Sequence, residues 1–373
     1  MKLIYVSHVH PPADAKSKPV GGMQTVSMQL LDLLQEQAGV SVYPLLLELP
    51  DRGIEWRVTQ FLWQLNQELP GIALRQKADL ILFSSMVTGS LAILLRHRIS
   101  IPIVAINHGQ DTILPFPPYQ LLLPQIFNCL DGVISVSQAT QNASIGRGLK
   151  PENGWVLPNG ISISDRDYNK SESRRIIENA FNCDLTDRHL LLSVGRQIKR
   201  KGHAWFIKRV LPRLDRNAIF LAIGNGKEHE CLQRLKLQSA CGDRILLPGK
   251  VAPELLRHAY DASDVFVMPN IPVPGDMEGF GVVMLEANEA RTPVVASDLE
   301  GIRDVVCQGR NGYRVPPYHS ARFAQVIRDI LDSKLEYLSE SAHRFVRENF
   351  AWQNLGDRYM ASLQEIVARS TRK

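Results

Sequence analysis

With 373 residues, 45% of them hydrophobic and 22% charged, the chain has an ordinary soluble globular profile, long enough for two domains with separate cores. Residues 1–160 carry 11 basic and 11 acidic side chains, so the formal net charge of +5 lies wholly downstream and makes the C-terminal half the better anion binder. No long Lys/Arg run interleaved with aromatics and no zinc-finger or RNA-recognition signature is present, which argues against nucleic acid as a partner.

The opening run, Met1 to His8, is too short an apolar stretch for a secretory signal and reads as a first buried strand. Asp79 to Leu95 contains an acid, three serines and a glycine, a poor membrane span but a good strand followed by a helix, so no transmembrane segment is expected. Cys129, Cys183, Cys231, Cys241 and Cys307 are scattered, odd in number and without C-x-x-C spacing. That pattern argues against a disulfide framework and a zinc site and predicts a reducing cytoplasm.

Short β-branched or leucine-rich runs then alternate with helix-period segments, as parallel sheets with covering helices require, so the fold class is α/β. The first series of strands comprises Lys2 to Ser7, Val40 to Leu47, Leu80 to Ser84, Ile103 to Asn107, Gly132 to Val136 and Gly154 to Leu157, with a helix from Gln24 to Gln35. A polar stretch, Asn159 to Arg188, holds the interdomain connection near its start and a helix over Ser171 to Asn182. The second series comprises Leu190 to Val194, Ala218 to Ile223, Ile245 to Leu247, Val265 to Met268 and Val294 to Ala296, and a helix-period tail runs from Trp352 to Ala368.

Ligands of doubly wound sheets sit beyond the carboxyl ends of the strands, so the residues after each strand are the candidates. Gly21 and Gly22 precede the helix near Gln24 and let backbone N–H groups approach a phosphate, although a flexible turn fits them equally. His8 and His10 are spaced like metal ligands without a third. His108-Gly109 puts an imidazole at the mouth of the cleft, where a structural hydrogen-bonder is the alternative. Gly195-Arg196 and Lys201-Gly202 hold two cations between glycines at a strand-to-helix turn. That arrangement suits a diphosphate, with Arg196 bidentate and Lys201 a point charge. Lys199 and Arg200 extend the run, so a solvated basic loop is the competing reading. Gly224-Asn225-Gly226 gives only G-x-G, which disfavours a nicotinamide cofactor.

The richest segment follows Val265 to Met268, where the loop Pro269 to Met277 delivers Glu278-Gly279-Phe280-Gly281 into a helix over Val282 to Ala290. A helix starting near Gly281 aims its free N–H groups at a ligand, and two glycines admit close backbone approach. Carboxylates accept paired hydroxyls well, so a sugar suits Glu278 and a ribose suits Glu286. Taken alone, Glu286 also fits an exposed helix acid like Glu289.

The run Glu278-Gly279-Phe280-Gly281-Val282-Val283-Met284-Leu285-Glu286-Ala287 resembles the E-x(7)-E signature of family 4 retaining glycosyltransferases of GT-B fold. Val194-Gly195-Arg196 with Lys201-Gly202, Val156-Leu157-Pro158-Asn159-Gly160, Asp131 to Ser137 and Ala262-Ser263-Asp264 to Pro269 resemble further motifs of that family, in order over nearly the whole chain. The resemblance implies two Rossmann-like domains facing across a cleft. Residues 1–160 would form an acceptor domain and 161–351 a donor domain, with a C-terminal helix, 352–373, crossing back to the first. It places Glu278 near the transferred sugar, the Phe280, Gly281 and Val282 backbone on sugar and phosphates, and Glu286 on the ribose. It further implies Arg196, Lys201 and Gly195 at the diphosphate, Gly22 facing it with Gly21, His108 beside the anomeric centre, and the nucleotide base on backbone at Lys250-Val251. The implied activity is retaining hexosyl transfer from a nucleotide-sugar, UDP-linked first and GDP-linked next, without a firmly established enzymic nucleophile. The implied setting is cell-surface polysaccharide or glycoconjugate synthesis.

Asp165-Arg166-Asp167 offers the D-x-D of metal-dependent transferases, but it lies in the polar connection away from the donor motifs, so neither a metal nor another cofactor is expected. The acceptor, a glycan or lipid-linked saccharide, is less legible. Ile113-Leu114-Pro115-Phe116-Pro117-Pro118-Tyr119 with Leu121 to Leu123 is an apolar, proline-rich loop beside His108 that suits an acceptor groove or peripheral membrane contact at the inner face of the membrane, and equally suits packing under the next helix. A nucleotide-sugar-binding module without catalysis and an epimerase or phosphorylase of similar fold are the competing classes. The former would be free to lose Arg196, Lys201 or Glu278.

Overall fold

The computed structural model describes residues 1–10, 22–48, 54–164 and 167–370. Two six-stranded, all-parallel sheets organise these residues. The first contains β1 (Lys2–His10), β2 (Ser41–Glu48), β3 (Leu80–Phe83), β4 (Ile103–Asn107), β5 (Gly132–Ser135) and β6 (Gly154–Val156), in the order β2-β1-β3-β4-β5-β6. The second contains β7 (His189–Val194), β8 (Ala218–Ile223), β9 (Ile245–Gly249), β10 (Val265–Met268), β11 (Val294–Ser297) and β12 (Gly312–Val315), in the order β12-β11-β10-β7-β8-β9. In both sheets the strand order reverses direction in the interior, and the crevice at such a switch point is where a doubly wound sheet receives its ligand.

The strands are continuous apolar runs because both faces are covered. Along β1, Leu3 and Tyr5 join one core cluster while Ile4 and Val6 join another, the two-residue alternation of a strand buried on both sides. The second cluster packs β1, β3 and β4 under Leu65 and Leu69 of the helix Ile54–Gln76, Leu95 of Ala92–Leu95, and Leu123, Ile126 and Phe127 of Pro117–Cys129.

Two passages of chain join the halves side by side. Ile161 N–H donates to Phe350 O at 2.8 Å and Trp352 N–H to Ile161 O at 3.2 Å. Gly160 must lack a side chain, since a Cβ there would lie 2.4 Å from the Trp352 ring. The helix Trp352–Ser370 then crosses onto the first half. Trp352 Nε1–H donates to Gln29 Oε1 (2.8 Å), Tyr359 OH to Pro158 O (3.2 Å) and Trp155 Nε1–H to Glu365 Oε2 (3.1 Å).

The strands expected from the apolar runs all form, and the tail helix runs as expected. The helix Lys170–Phe181 matches the one expected over Ser171 to Asn182. The edge strand β12 and the helix Ile54–Gln76 are additional to that reading. Gly21 and two residues of the D-x-D run, Asp165 and Arg166, lie outside the described residues.

Candidate functional site

Close backbone approaches shape the strand ends of the second sheet. Gly195, at φ 141°, follows β7, and a Cβ on Gly224 after β8 would lie 2.0 Å from Gly195 O. Gly202, at φ 68°, ends the turn Lys199–Lys201, and a Cβ there would lie 1.9 Å from Pro269 O after β10. These contacts bring the basic turn against the loop that carries Glu278, with the Lys201 side chain running beside Gly195.

Glu278 is buried, and its Oε2 accepts hydrogen bonds from Lys201 Nζ at 2.7 Å, from Asn270 Nδ2 at 3.0 Å and from the Arg200 guanidinium. Burial by itself raises a carboxyl pKa. Here the Lys201 and Arg200 charges and the hydrogen bonds from Lys201 and Asn270 outweigh it and pull Glu278 down to about 2. Lys201 is lowered by its own burial, an effect Glu278 opposes. The Glu278 main chain is clamped as well: its N–H donates to the Glu300 carboxylate and its carbonyl accepts from Gly301 N–H at 3.1 Å.

Arg200 is the main correction to the sequence reading. Only 4% exposed, it is no member of a solvated basic run, because its Nε donates to Asp276 Oδ1 at 3.0 Å while its other arm holds Glu278. Two buried or half-buried cations are thereby matched by two carboxylates. Arg196 is exposed and has no carboxylate partner among the described residues, which leaves its charge available for an anion. Its guanidinium donates to Gln110 Oε1 at 2.9 Å, and Gln110 Nε2 donates to Asp276 Oδ1 at 3.1 Å, so a residue of the first half bridges the second.

The halves also meet through backbone. A Cβ on Gly279 would lie 1.9 Å from His108 O, and one on Gly109, at φ 93°, would lie 3.0 Å from Gly279 Cα. His108 is thus brought beside the Glu278 loop, and its Nε2–H donates to Ser84 O at 2.9 Å. His8 is buried with Nδ1 3.3 Å from Ser85 Oγ, and its pKa is lowered by burial first, then raised by Asp111 and lowered by His108. Among the described residues no group of three or more His, Cys, Asp or Glu side chains is arranged to hold a metal ion.

The remaining candidates of the second half follow the ends of β9 and β10. Gly281 adopts φ 90°, and the helix begins at Val283, two residues after the expected start, its first bond running from Met284 N–H to Gly281 O at 3.0 Å. Val282 is its N-cap. The Phe280 ring points away into the core, edge-on to Phe350 at 6.0 Å, so only its backbone is positioned for a ligand. Glu286 is not a solvated helix acid like its alternative reading: it is half-buried, burial raises its pKa, and its Oε2 accepts from Tyr260 OH at 2.6 Å. Val251 follows β9 and packs partly into the core. Gly22 starts the helix Gly22–Glu36, with no atom of the described residues within 4 Å of where its Cβ would be.

Architectures that face two Rossmann-like domains across a cleft, with a terminal helix returning to the first, are those of the GT-B class, and this chain has that design. Residues 20–165 match the family model described as Glycosyltransferase Family 4, and residues 177–352 match the model described as Glycosyl transferases group 1. The chain belongs to glycosyltransferase family 4.

It is 29% identical over 227 residues to an uncharacterized glycosyltransferase of Methanocaldococcus jannaschii, covering 60% of this chain and 57% of that protein, so it spans a little over half of that relative's length. It is 27% identical over 269 residues to the GDP-mannose-dependent alpha-(1-6)-phosphatidylinositol monomannoside mannosyltransferase of Mycolicibacterium smegmatis, covering 69% and 68% of the two chains. Its fold matches that of Anabaena HepE, solved in complex with UDP, at a TM-score of 0.71 and 18% identity, over 98% of this chain and 100% of the other.

Gln110, Arg200, Tyr260, Asp276 and Glu300 were absent from the sequence reading as site residues. Each gains its place from a partner more than 20 positions away, and no local pattern marks it.

Proposed function

We propose that the chain transfers a hexosyl group from a nucleotide-sugar to a glycan or lipid-linked saccharide, with retention of anomeric configuration and without a metal. The observation that carries this reading is the exposed Arg196, without a carboxylate partner among the described residues, set beside the buried Glu278 and half-buried Lys201 at the strand-end cleft. Arg196, with Lys201 and the backbone at Gly195, binds the diphosphate and stabilises the charge that grows on it as the glycosidic bond breaks. Fixed cations at that position take the part a divalent ion plays elsewhere, which supports metal independence. Glu278 accepts sugar hydroxyls and, ionised throughout the neutral range, lies near the positive charge developing on the sugar. His108 sits beside the reacting carbon, the Phe280, Gly281 and Val282 backbone meets sugar and phosphate, Gly22 faces the diphosphate, Val251 meets the base and Glu286 the ribose.

The base is uracil first and guanine next. HepE was solved with UDP, and the mycobacterial relative is by its name GDP-mannose-dependent. That relative's named acceptor is a phosphatidylinositol monomannoside, which supports a lipid-linked acceptor and work at the cytoplasmic face of a membrane in glycoconjugate or cell-surface polysaccharide synthesis. Leu114, Phe116, Leu121 and Leu122 are exposed, while Leu123 is buried, so the loop and the helix Pro117–Cys129 present apolar side chains outward. No helix among the described residues is long and apolar enough to cross a membrane.

Three measurements test these points. Nucleotide release from UDP-, GDP- and ADP-sugars, with chelator present, tests donor use and metal independence, and analysis of the product anomer tests retention. Co-sedimentation with anionic liposomes, wild type against a Phe116→Ser, Leu122→Ser variant, tests membrane contact, and equal sedimentation of the two removes it from the account.

A further inference from the structure

We infer that Tyr260 is a positioning residue for nucleotide recognition: its phenol takes one oxygen of the Glu286 carboxylate and thereby aims the other at the ribose. The inference rests on the assignment of Glu286 to the ribose and adds a residue to it.

Tyr260 sits near the end of the helix Pro253–Ala262, and nearly everything about it is fixed by packing. The residue is 5% exposed, and its ring lies over Phe266 of β10 with centroids 6.1 Å apart. Its carbonyl accepts from Thr292 Oγ1 at 2.9 Å and from Ser263 N–H at 3.2 Å, which anchors the end of the helix to the turn before β11. The hydroxyl is therefore delivered to one place, 2.6 Å from Glu286 Oε2. Burial keeps the phenol protonated, so it donates and the carboxylate accepts.

The consequence for Glu286 is geometric and electrostatic. Held at Oε2 by a rigid donor, the carboxylate cannot rotate freely, and among the described residues no side-chain partner engages Oε1. A carboxylate oriented in this way accepts from a ribose hydroxyl without first losing rotamer freedom. The tyrosine bond also opposes the burial that raises the Glu286 pKa.

The experiment measures binding of UDP, GDP and ADP, and of their 2′,3′-dideoxy forms, to wild type and to the Tyr260→Phe, Glu286→Ala and double variants. Phenylalanine keeps the ring on Phe266 and removes a single oxygen. The expected result is that Tyr260→Phe weakens the ribose nucleotide on the order of tenfold, as the loss of a hydrogen bond to a charged acceptor does. The dideoxy form should bind as it does to wild type. The double variant should be no weaker than Glu286→Ala alone, because the tyrosine acts through the glutamate. Equal weakening of ribose and dideoxy nucleotides by Tyr260→Phe, or no weakening of either, overturns the inference while leaving Glu286 on the ribose. If Glu286→Ala retains full preference for the ribose form, or wild type binds none of the nucleotides, the assignment of Glu286 itself falls and Tyr260 with it.

Discussion

Replacing Gly279 with alanine inserts one methyl group between the two halves at the point where the Glu278 loop meets His108. A Cβ at that position would lie 1.9 Å from His108 O and 2.9 Å from its carbonyl carbon, while ordinary contact begins near 3.4 Å. The two backbones must therefore part by roughly 1.5 Å, and neither can yield alone, because Gly301 N–H holds Glu278 O and a Cβ on Gly109 already lacks room against Gly279. A displacement of about 1 Å between reacting groups costs on the order of 100-fold in rate, or about 2.7 kcal/mol of transition-state stabilisation. The clash lies between the halves and leaves both cores packed, so melting should shift by less than about 3 °C. Sugar-nucleotide turnover with thermal melting of Gly279→Ala checks both parts. Turnover within threefold of wild type would refute the claim that this contact sets the working geometry, and a collapse of melting would show that it is structural.

Three further outcomes follow from the same geometry. Glu278→Gln leaves the half-buried Lys201 without a charged partner and should cost about 3 kcal/mol in denaturant unfolding at pH 7. Because the wild-type carboxyl is depressed from 4.5 to about 2, its contribution is present above pH 4.5 and is lost as pH falls towards 2, so stability of the variant should be flatter across that window. His203, buried against Ser193 and lowered by burial and then by Lys201 to about 3, stays neutral in the fold while the unfolded chain takes up protons below pH 6.5. Stability should fall by about 2 kcal/mol between pH 6.5 and 5 from this residue, and His203→Phe should remove that slope in urea titrations. Gly22→Ala meets no atom of the described residues within 4 Å, so its melting should match wild type while donor turnover drops at least roughly tenfold through lost approach to the diphosphate. Unchanged turnover would remove Gly22 from the site.

The strands were legible in the sequence because parallel strands covered on both faces read as unbroken apolar runs, as in Ile103–Asn107 and Val265–Met268. β12 was not, because an edge strand of Gly-Tyr-Arg-Val leaves Tyr313 and Arg314 half-buried and carries no apolar run. The helix Ile54–Gln76 was hidden by Pro70 and Gly71, which read as breakers yet lie inside it. Glu278, Lys201 and Arg196 could be found because glycines flank them at strand ends. Arg200 stands next to Lys199 and Lys201 in an undivided basic run, and only the fold shows that it turns inward to Asp276 while Lys199 stays in solvent. Gln110 and Tyr260 have no such marker, since their value lies in what they touch 86 and 26 positions away.

If Glu278, Lys201 and Arg196 grip and activate a nucleotide-sugar, nucleotide release by purified wild type, Lys201→Ala and Glu278→Gln from UDP-, GDP- and ADP-sugars with chelator present will show it. Wild type should turn over and be thermally stabilised by at least one donor, and the variants should stay folded while turnover with that donor is lost. Wild type that neither turns over nor is stabilised by any donor, or variants that retain full turnover, would contradict it.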